Sequence, residues 1–365
     1  MILVRNTVPP LAFVQELETA LPGNIGVGVE ASNATVSGDD VYHANSGATL
    51  VLPSMDQYGP KTRWIDIFAR GLAGCQWTLT PSANYVLLSQ TTGYTGGNNG
   101  TDTRVFVSID WSKAPVAPNS TTVNVQVTSS CGKWGPYPSP IVQVPVISRT
   151  APSDFTGFVE SDKVVSIEAE HASRNTSVNG VSYMTLNSYG RTKSGVTMIP
   201  VLAPSQPAGT GPVLEYDIFT FTNSSVANVT LLLSPSLNQQ GAAHPLKYGV
   251  AFDAEIPQVI QFVGNYTGTN MPAGWGGAVS DAVWGLTASG RTTTTMHNLS
   301  VVGKHTLKVW CVEPGVIIQK IIIDFGGVRT SYLGPPESFR MGVDKVGTYD
   351  GTNFAGVKLD PKKVI

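Results

Sequence analysis

Residues 165–174 read VSIEAEHASR, and three of those side chains can move protons or bind cations. In a β-strand Glu168 and Glu170 share a face with Cα atoms about 6.8 Å apart, because side chains alternate at about 3.4 Å per residue. That spacing suits the two carboxylates of an inverting glycosidase, yet acid and base must flank the scissile bond from opposite sides. Two residues on one strand point the same way, which argues against a catalytic pair. Parallel carboxylates suit a hard cation such as calcium, provided that other oxygens bring the ligand count to about six to eight. Asp324, which ends the apolar run VIIQKIIID, is the natural third ligand, since a carboxylate there must be paired, hydrogen-bonded or metal-bound. The competing reading has both glutamates facing water and Asp324 starting a turn before Gly326 and Gly327. His171 either orients a glutamate or lies at the surface.

Other chemistry is sparse. The five histidines, His43, His171, His244, His297 and His305, have no spacing that makes a triad or a metal site. Neither a Gly-x-Ser-x-Gly elbow nor a phosphate-binding glycine loop occurs. The run MPAGWGGAVSDAVWG places Trp275 and Trp284 in a Gly-rich loop, followed by Arg291 and His297. Sugar rings stack their C–H faces on indoles while hydroxyls need planar polar partners, so these four are the candidate ligand-binding residues. Packing or an interdomain contact is the alternative for the two tryptophans. Trp64, Trp77, Trp111 and Trp134 flank strands and are expected in a core.

The elements that must position these residues are short. IGVGVEAS, ATLVLP, TRWIDIFARG, CQWTLTPS, NYVLLSQ, TRVFVSIDW and TVNVQVTSS recur about every ten residues with turn signals between them, the pattern of an antiparallel sandwich. TTGYTGGNNGTD, at 91–102, reads as an exposed loop. After PVISRTAPSDFTGFVESD a second set runs from KVVSIEAE to VIIQKIIIDF. The chain is therefore expected to be all-β, with two antiparallel β-sandwiches in series. The expected divisions are a connector with a short helix at 1–23, a sandwich at 24–147, a linker at 148–159, a sandwich at 160–333 and a surface extension at 334–365. Cys75 and Cys131 fall in one sandwich and can form one disulfide; Cys311, in TLKVWCV, is expected as a buried thiol.

Composition agrees with that class. Only 13% of the 365 residues are charged, against 38 Gly and 25 Pro, which favours sandwiches over helical bundles. A net charge of −2 provides no footprint for nucleic acid, and no run of about 18 apolar residues offers a membrane span. Sequons at Asn33, Asn99, Asn119, Asn175, Asn223, Asn228, Asn265 and Asn298 point to a secreted glycoprotein. The opening MILVRNTVPP has no signal-peptide core or cleavage site, so either a truncated start or a chain cut from something longer is expected.

GKHTLKVWCVEPGVIIQKIIIDFGGVRTSYLGPPES resembles the carboxy-terminal region of glycoside hydrolase family 115, the xylan α-1,2-glucuronidases. VEASNATVSGDD, TRWIDIFARG, VFVSIDW, VSIEAEHASR and GRTKSGVTMIP look like the same family in the same order, and the resemblance covers residues 10–338. It implies an immunoglobulin-like first sandwich and a second resembling the jelly roll of carbohydrate-binding modules. In those modules a Glu-x-Glu strand and a late Ile-Asp strand hold a structural calcium, and the matching positions are Glu168, Glu170 and Asp324. The family's catalytic apparatus lies in an amino-terminal barrel-bearing region absent from these residues, so no hydrolysis by this chain alone is expected. The implied partners are glucuronoxylan or a related plant polysaccharide, the catalytic barrel region and a second copy in a homodimer. The alternative is a stand-alone secreted carbohydrate-binding or adhesion protein.

Overall fold

Alternating apolar residues build the strands. Thr62–Ala69 turns Arg63, Ile65 and Ile67 inward, and Ile141–Ser148 buries Val142, Val144 and Val146 in the same way. The computed structural model describes residues 25–36, 44–45, 49–70, 74–96, 102–131, 139–262, 271, 275–276, 279, 293–329, 331 and 333–345. The helix expected near residues 9–23, and Trp134, Trp284 and Arg291, lie outside the described residues. The chain divides into two compact units, Met1–Thr150 and Ala151–Ile365.

The first unit is a sandwich of two sheets. One runs Ala44–Asn45, Ala34–Val36, Ile25–Val29, Thr62–Ala69, Thr103–Ile109, Val86–Leu88. The other runs Thr49–Val51, Ile141–Ser148, Asn119–Ser129, Cys75–Pro81, Thr92–Thr95. Among the described residues the named strands pair antiparallel apart from Ala34–Val36 on Ala44–Asn45 and Thr49–Val51 on Ile141–Ser148, which are parallel, as is the single Met55–Val146 bridge. Valines, isoleucines and Trp77 fill the space between the sheets, and Cys75 is joined to Cys131. Two expectations change. The stretch read as a loop contains the strand Thr92–Thr95, because Gly93 leaves room for the Trp77 ring: a Cβ there would come within 2.1 Å of it. Trp64 is half-buried on the outer face rather than in the core, with the Arg104 guanidinium stacked 3.9 Å from its ring centre.

The second unit is also a sandwich. One sheet runs Gln258–Gln261, Lys247–Phe252, Gly303–Cys311, Val213–Thr220, Gly157–Val159, Arg340–Met341, with Arg174–Thr176 added beside Val213–Thr220. The other runs Ser182–Leu186, Gly195–Ile199, Ile317–Asp324, Ser224–Ser234, Thr294–Leu299, with Val164–Glu168 also laid along Ile317–Asp324. Tyr216, Tyr248, Phe252, Ile321 and Ile323 are among the side chains filling the interior. The segment expected as a linker already belongs to this fold, since Phe155 and Phe158 are buried and Gly157–Val159 pairs on both sides. The start of the expected surface extension does too: Phe339 is 1% exposed and Arg340–Met341 closes the sheet against Gly157–Val159.

Cys311 is a fully buried thiol whose pKa burial pushes up to about 12, and its amide donates to the Tyr183 hydroxyl at 2.8 Å. Burial likewise raises Tyr183, Tyr216 and Tyr248 above the ordinary tyrosine value.

Removing the disulfide by C75S/C131S frees a loop with a sequence separation of 56 and should lower first-unit stability by about 2–4 kcal/mol in urea titration. The second unit's transition should stay put. For the second unit, an unfolded Cys311 ionises near 9 whereas the folded one stays protonated to about 12. The native state thus keeps a proton that the unfolded state loses, and stability that is whole below about pH 9 falls as pH rises toward 12. C311V should flatten that decline in urea midpoints taken from about pH 8 to about pH 11.

Candidate functional site

The strand carrying the opening motif ends two residues earlier than its pattern suggests. Val164–Glu168 is extended, and Ala169–His171 is a 3-10 turn, pinned by the Tyr216 hydroxyl donating to the Ala169 carbonyl at 2.7 Å. Glu168 and Glu170 therefore do not share a strand face. Across the ladder Glu168 stands opposite Lys320 and Val164 opposite Asp324, so Glu168 and Asp324 are about 14 Å apart along the sheet. Asp324 turns the chain: its Oδ1 accepts the amides of Gly326, Gly327 and Val328 at 2.7, 2.9 and 3.1 Å. Among the described residues no group of three or more His, Cys, Asp or Glu is disposed to hold a metal. Glu168, Glu170 and Asp324 are thus not gathered into one cluster.

What meets Glu168 is a lysine. Lys320 lies 1% exposed in the middle of the central strand, its Nζ 3.1 Å from Glu168 Oε1. It also donates to the carbonyls of Pro335 at 2.8 Å and Leu333 at 3.4 Å. Burial pulls the ammonium below its ordinary pKa, and Glu168, helped by Glu337, opposes that pull. Glu337 has a side chain with no exposure; its Oε1 accepts the Glu168 amide at 3.1 Å and sits 2.6 Å from His171 Nδ1. Ser166 and Ser338 exchange hydrogen bonds at 2.9 and 2.8 Å, and the Ser166 hydroxyl donates to the Pro335 carbonyl at 3.0 Å. Segment 333–339 is thus a cover laid over the outer face of the sheet. Leu232, Ile322 and Val164 form an apolar layer on that face, and a Cβ at Gly334 would lie 3.3–3.5 Å from Ile322, Leu232 and Lys320.

The hairpin loop after Ser182–Leu186 ties this network to the surface. The Thr192 hydroxyl donates to Glu168 Oε1 at 2.6 Å, and Lys193 Nζ is 4.0 Å from Glu170. The same loop carries Tyr189, 53% exposed, and Arg191. With Leu233, Ser234, Pro235 and Gln319 they line an open cleft of 280 Å³, near the roughly 300 Å³ lower end of small-ligand sites. The Gln319 amide is held in place, accepting the Arg191 backbone N–H at 3.0 Å and donating to Ser234 Oγ at 2.6 Å. Gly190 is required, because a Cβ there would lie 2.6 Å from the Ser194 carbonyl. An exposed phenol ring, a guanidinium, a primary amide and a hydroxyl around a shallow hollow suit a polyhydroxylated ring.

The predicted sugar contacts fare differently. His297 is wholly buried, with Nδ1 2.7 Å from Glu255, Nε2 2.7 Å from Thr295 Oγ1 and its ring edge-on to Phe252. It is an internal strut, not an exposed contact. Trp275 is half-buried against the core. A serine, histidine and glutamate do meet elsewhere: Ser205 Oγ is 2.8 Å from Glu313 Oε1, and both Ser205 Oγ and Glu313 Oε2 are 3.1 Å from His244 Nδ1. The serine is bonded to the carboxylate directly and shares one ring nitrogen with it, so no imidazole relay stands between them.

Residues 157–337 match the family described as glycosyl hydrolase family 115 C-terminal domain. No curated protein matches the chain. Among solved structures, a family GH115 4-O-methyl-α-glucuronidase with specificity for decorated arabinogalactans is 14% identical over 49% of this chain and 19% of that chain, with a TM-score of 0.29. A Bacteroides ovatus GH5 xyloglucanase in complex with a XXXG heptasaccharide is 17% identical over 34% and 20%, with a TM-score of 0.21. A two-domain protein of unknown function from Bacteroides fragilis is 8% identical over 82% and 94%, with a TM-score of 0.26. The alignments take in about a fifth of each of the two glycoside hydrolases. Likenesses this weak do not bear on function.

K320M leaves the Glu168 carboxylate buried without its counter-charge and should cost the second unit about 3–5 kcal/mol. Replacing both partners, E168Q/K320M, should recover most of that loss in the same urea titration. A neutral K320M would show that the pair does not hold the cover.

Proposed function

From the membership of residues 157–337 in the glycosyl hydrolase family 115 C-terminal domain family, we propose that this chain is the non-catalytic accessory region of an extracellular xylan α-1,2-glucuronidase. Its duty is to contact glucuronoxylan or a related plant polysaccharide while a separate barrel region performs hydrolysis. Positioning that barrel and pairing two copies are structural duties compatible with the same sandwich. The observation that carries polysaccharide contact is the cleft formed by Tyr189 and Arg191, on a loop that the buried ion pair holds in place, with Ser234 and Gln319 of the neighbouring strands. The cleft is open and its 280 Å³ lies near the lower end of small-ligand sites, which favours contact with a side branch or a chain end. The sequons support the extracellular setting.

Titration calorimetry of the chain with glucuronoxylan fragments tests this reading. Saturable binding is expected, with Y189A weakening it about tenfold, or about 1.4 kcal/mol, and leaving the melting temperature unchanged. Absence of binding to any plant polysaccharide fragment would refute the contact role, and binding indifferent to Y189A would place it elsewhere.

A further inference from the structure

One edge of the second sandwich leaves apolar side chains uncovered. Val226 and Met296 are 53% and 65% exposed on the adjacent strands Ser224–Ser234 and Thr294–Leu299, and the turn beyond adds Val301 and Val302 at 69% and 53%. Among the described residues Thr294–Leu299 is the outermost strand of its sheet. A sheet edge with exposed apolar side chains invites pairing with another chain unless something blocks it.

Three sequons fall in this patch, at Asn223, Asn228 and Asn298. Met296 and Asn298 are two apart on one strand and face outward together, since His297 and Leu299 between and beyond them are buried. Asn223 is exposed just before its strand begins, and Ser225 and Ser300, the hydroxyl residues of the two outer sequons, are exposed as well. Asn298 already forms a solvent-facing turn, its Oδ1 accepting the Ser300 amide at 3.1 Å. Asn228 differs: it is half-buried between Met296 and Asp324 in the ladder, and the Thr230 hydroxyl of its sequon is engaged with Thr294 Oγ1 at 2.6 Å.

We infer that Asn223 and Asn298 carry N-linked glycans that lie over Val226, Met296, Val301 and Val302 and block the open edge, and that Asn228 is unmodified. Attachment forms a C–N bond between Nδ2 and the anomeric carbon of an oligosaccharide delivered on a lipid pyrophosphate. The anomeric C–O bond breaks, the lipid pyrophosphate leaves and the amide releases one proton. The C–H faces of the first sugar rings cover the aliphatic side chains while their hydroxyls stay in water. This inference rests on the extracellular reading, whose own failure would appear separately as cytosolic protein in the source organism.

The test is peptide mapping by mass spectrometry of the full chain made through the secretory pathway of a eukaryotic host, before and after peptide-N-glycosidase treatment. Asn223 and Asn298 should be converted to aspartate by the enzyme, and Asn228 should stay asparagine. N223Q and N298Q should each remove one glycan, and the double variant, with unchanged circular dichroism, should bind several times more of an apolar fluorescent dye and self-associate. Unmodified Asn223 and Asn298, or a glycan on Asn228, overturns the assignment. A double variant that loses both glycans without added dye binding or association overturns the covering role.

Discussion

The buried contact between Glu168 and Lys320 is the constraint around which the second sandwich is arranged. A lysine in the middle of a central strand, 1% exposed, requires an anionic partner and oxygen ligands for its remaining protons. The first strand supplies the partner at Glu168, and segment 333–339 supplies the carbonyls of Leu333 and Pro335. Breaking such a pair costs more than the pair contributes over an apolar alternative. Its effect is therefore on arrangement: it fixes the register of Val164–Glu168 on Ile317–Asp324 and keeps the cover in place.

The surface follows from that interior. Thr192 bonds the same carboxylate oxygen as Lys320, so the loop that presents Tyr189 and Arg191 is anchored from below. Gln319, next to Lys320 in the strand, fixes the Arg191 backbone from the side. A binding contact built on a hairpin loop gains from such anchoring, because less conformational entropy is lost when a ligand arrives. The glycine at 190 completes the loop by letting it fold back onto Ser194.

Much of the fold was legible in the sequence. Period-two alternation marked strands such as Thr62–Ala69 and Val213–Thr220, and the shared sandwich of Cys75 and Cys131 pointed to their disulfide. The site was less legible, because alternation cannot show where a strand stops: Glu170 keeps the period of VSIEAE but lies in a 3-10 turn. The carboxylates of VSIEAE have the chemistry of metal ligands, whereas the lysine interrupting the isoleucines of VIIQKIIID is a charge that cannot sit in a buried run unpaired. Glu337, in a stretch without period, pairs through contacts more than 160 residues distant in sequence, as the separation of 166 to His171 shows. Tyr189 and Arg191 stand in a turn-rich stretch, where composition marks exposure but gives no geometry. His297 alternated as an inward residue of Thr294–Leu299, a signal that outweighs its proximity to the tryptophan loop.

The buried Glu168 carboxylate is met by the Lys320 ammonium, and that pairing closes this sandwich without needing a metal ion. Thermal unfolding of the full chain in excess calcium and again after chelation tests it most directly. An unchanged second-unit melting temperature is predicted, because Lys320 already neutralises Glu168 and Asp324 is occupied by its own turn. A melting temperature that rises with calcium and falls on chelation would contradict the account, since a ligand that binds only the native state must stabilise it.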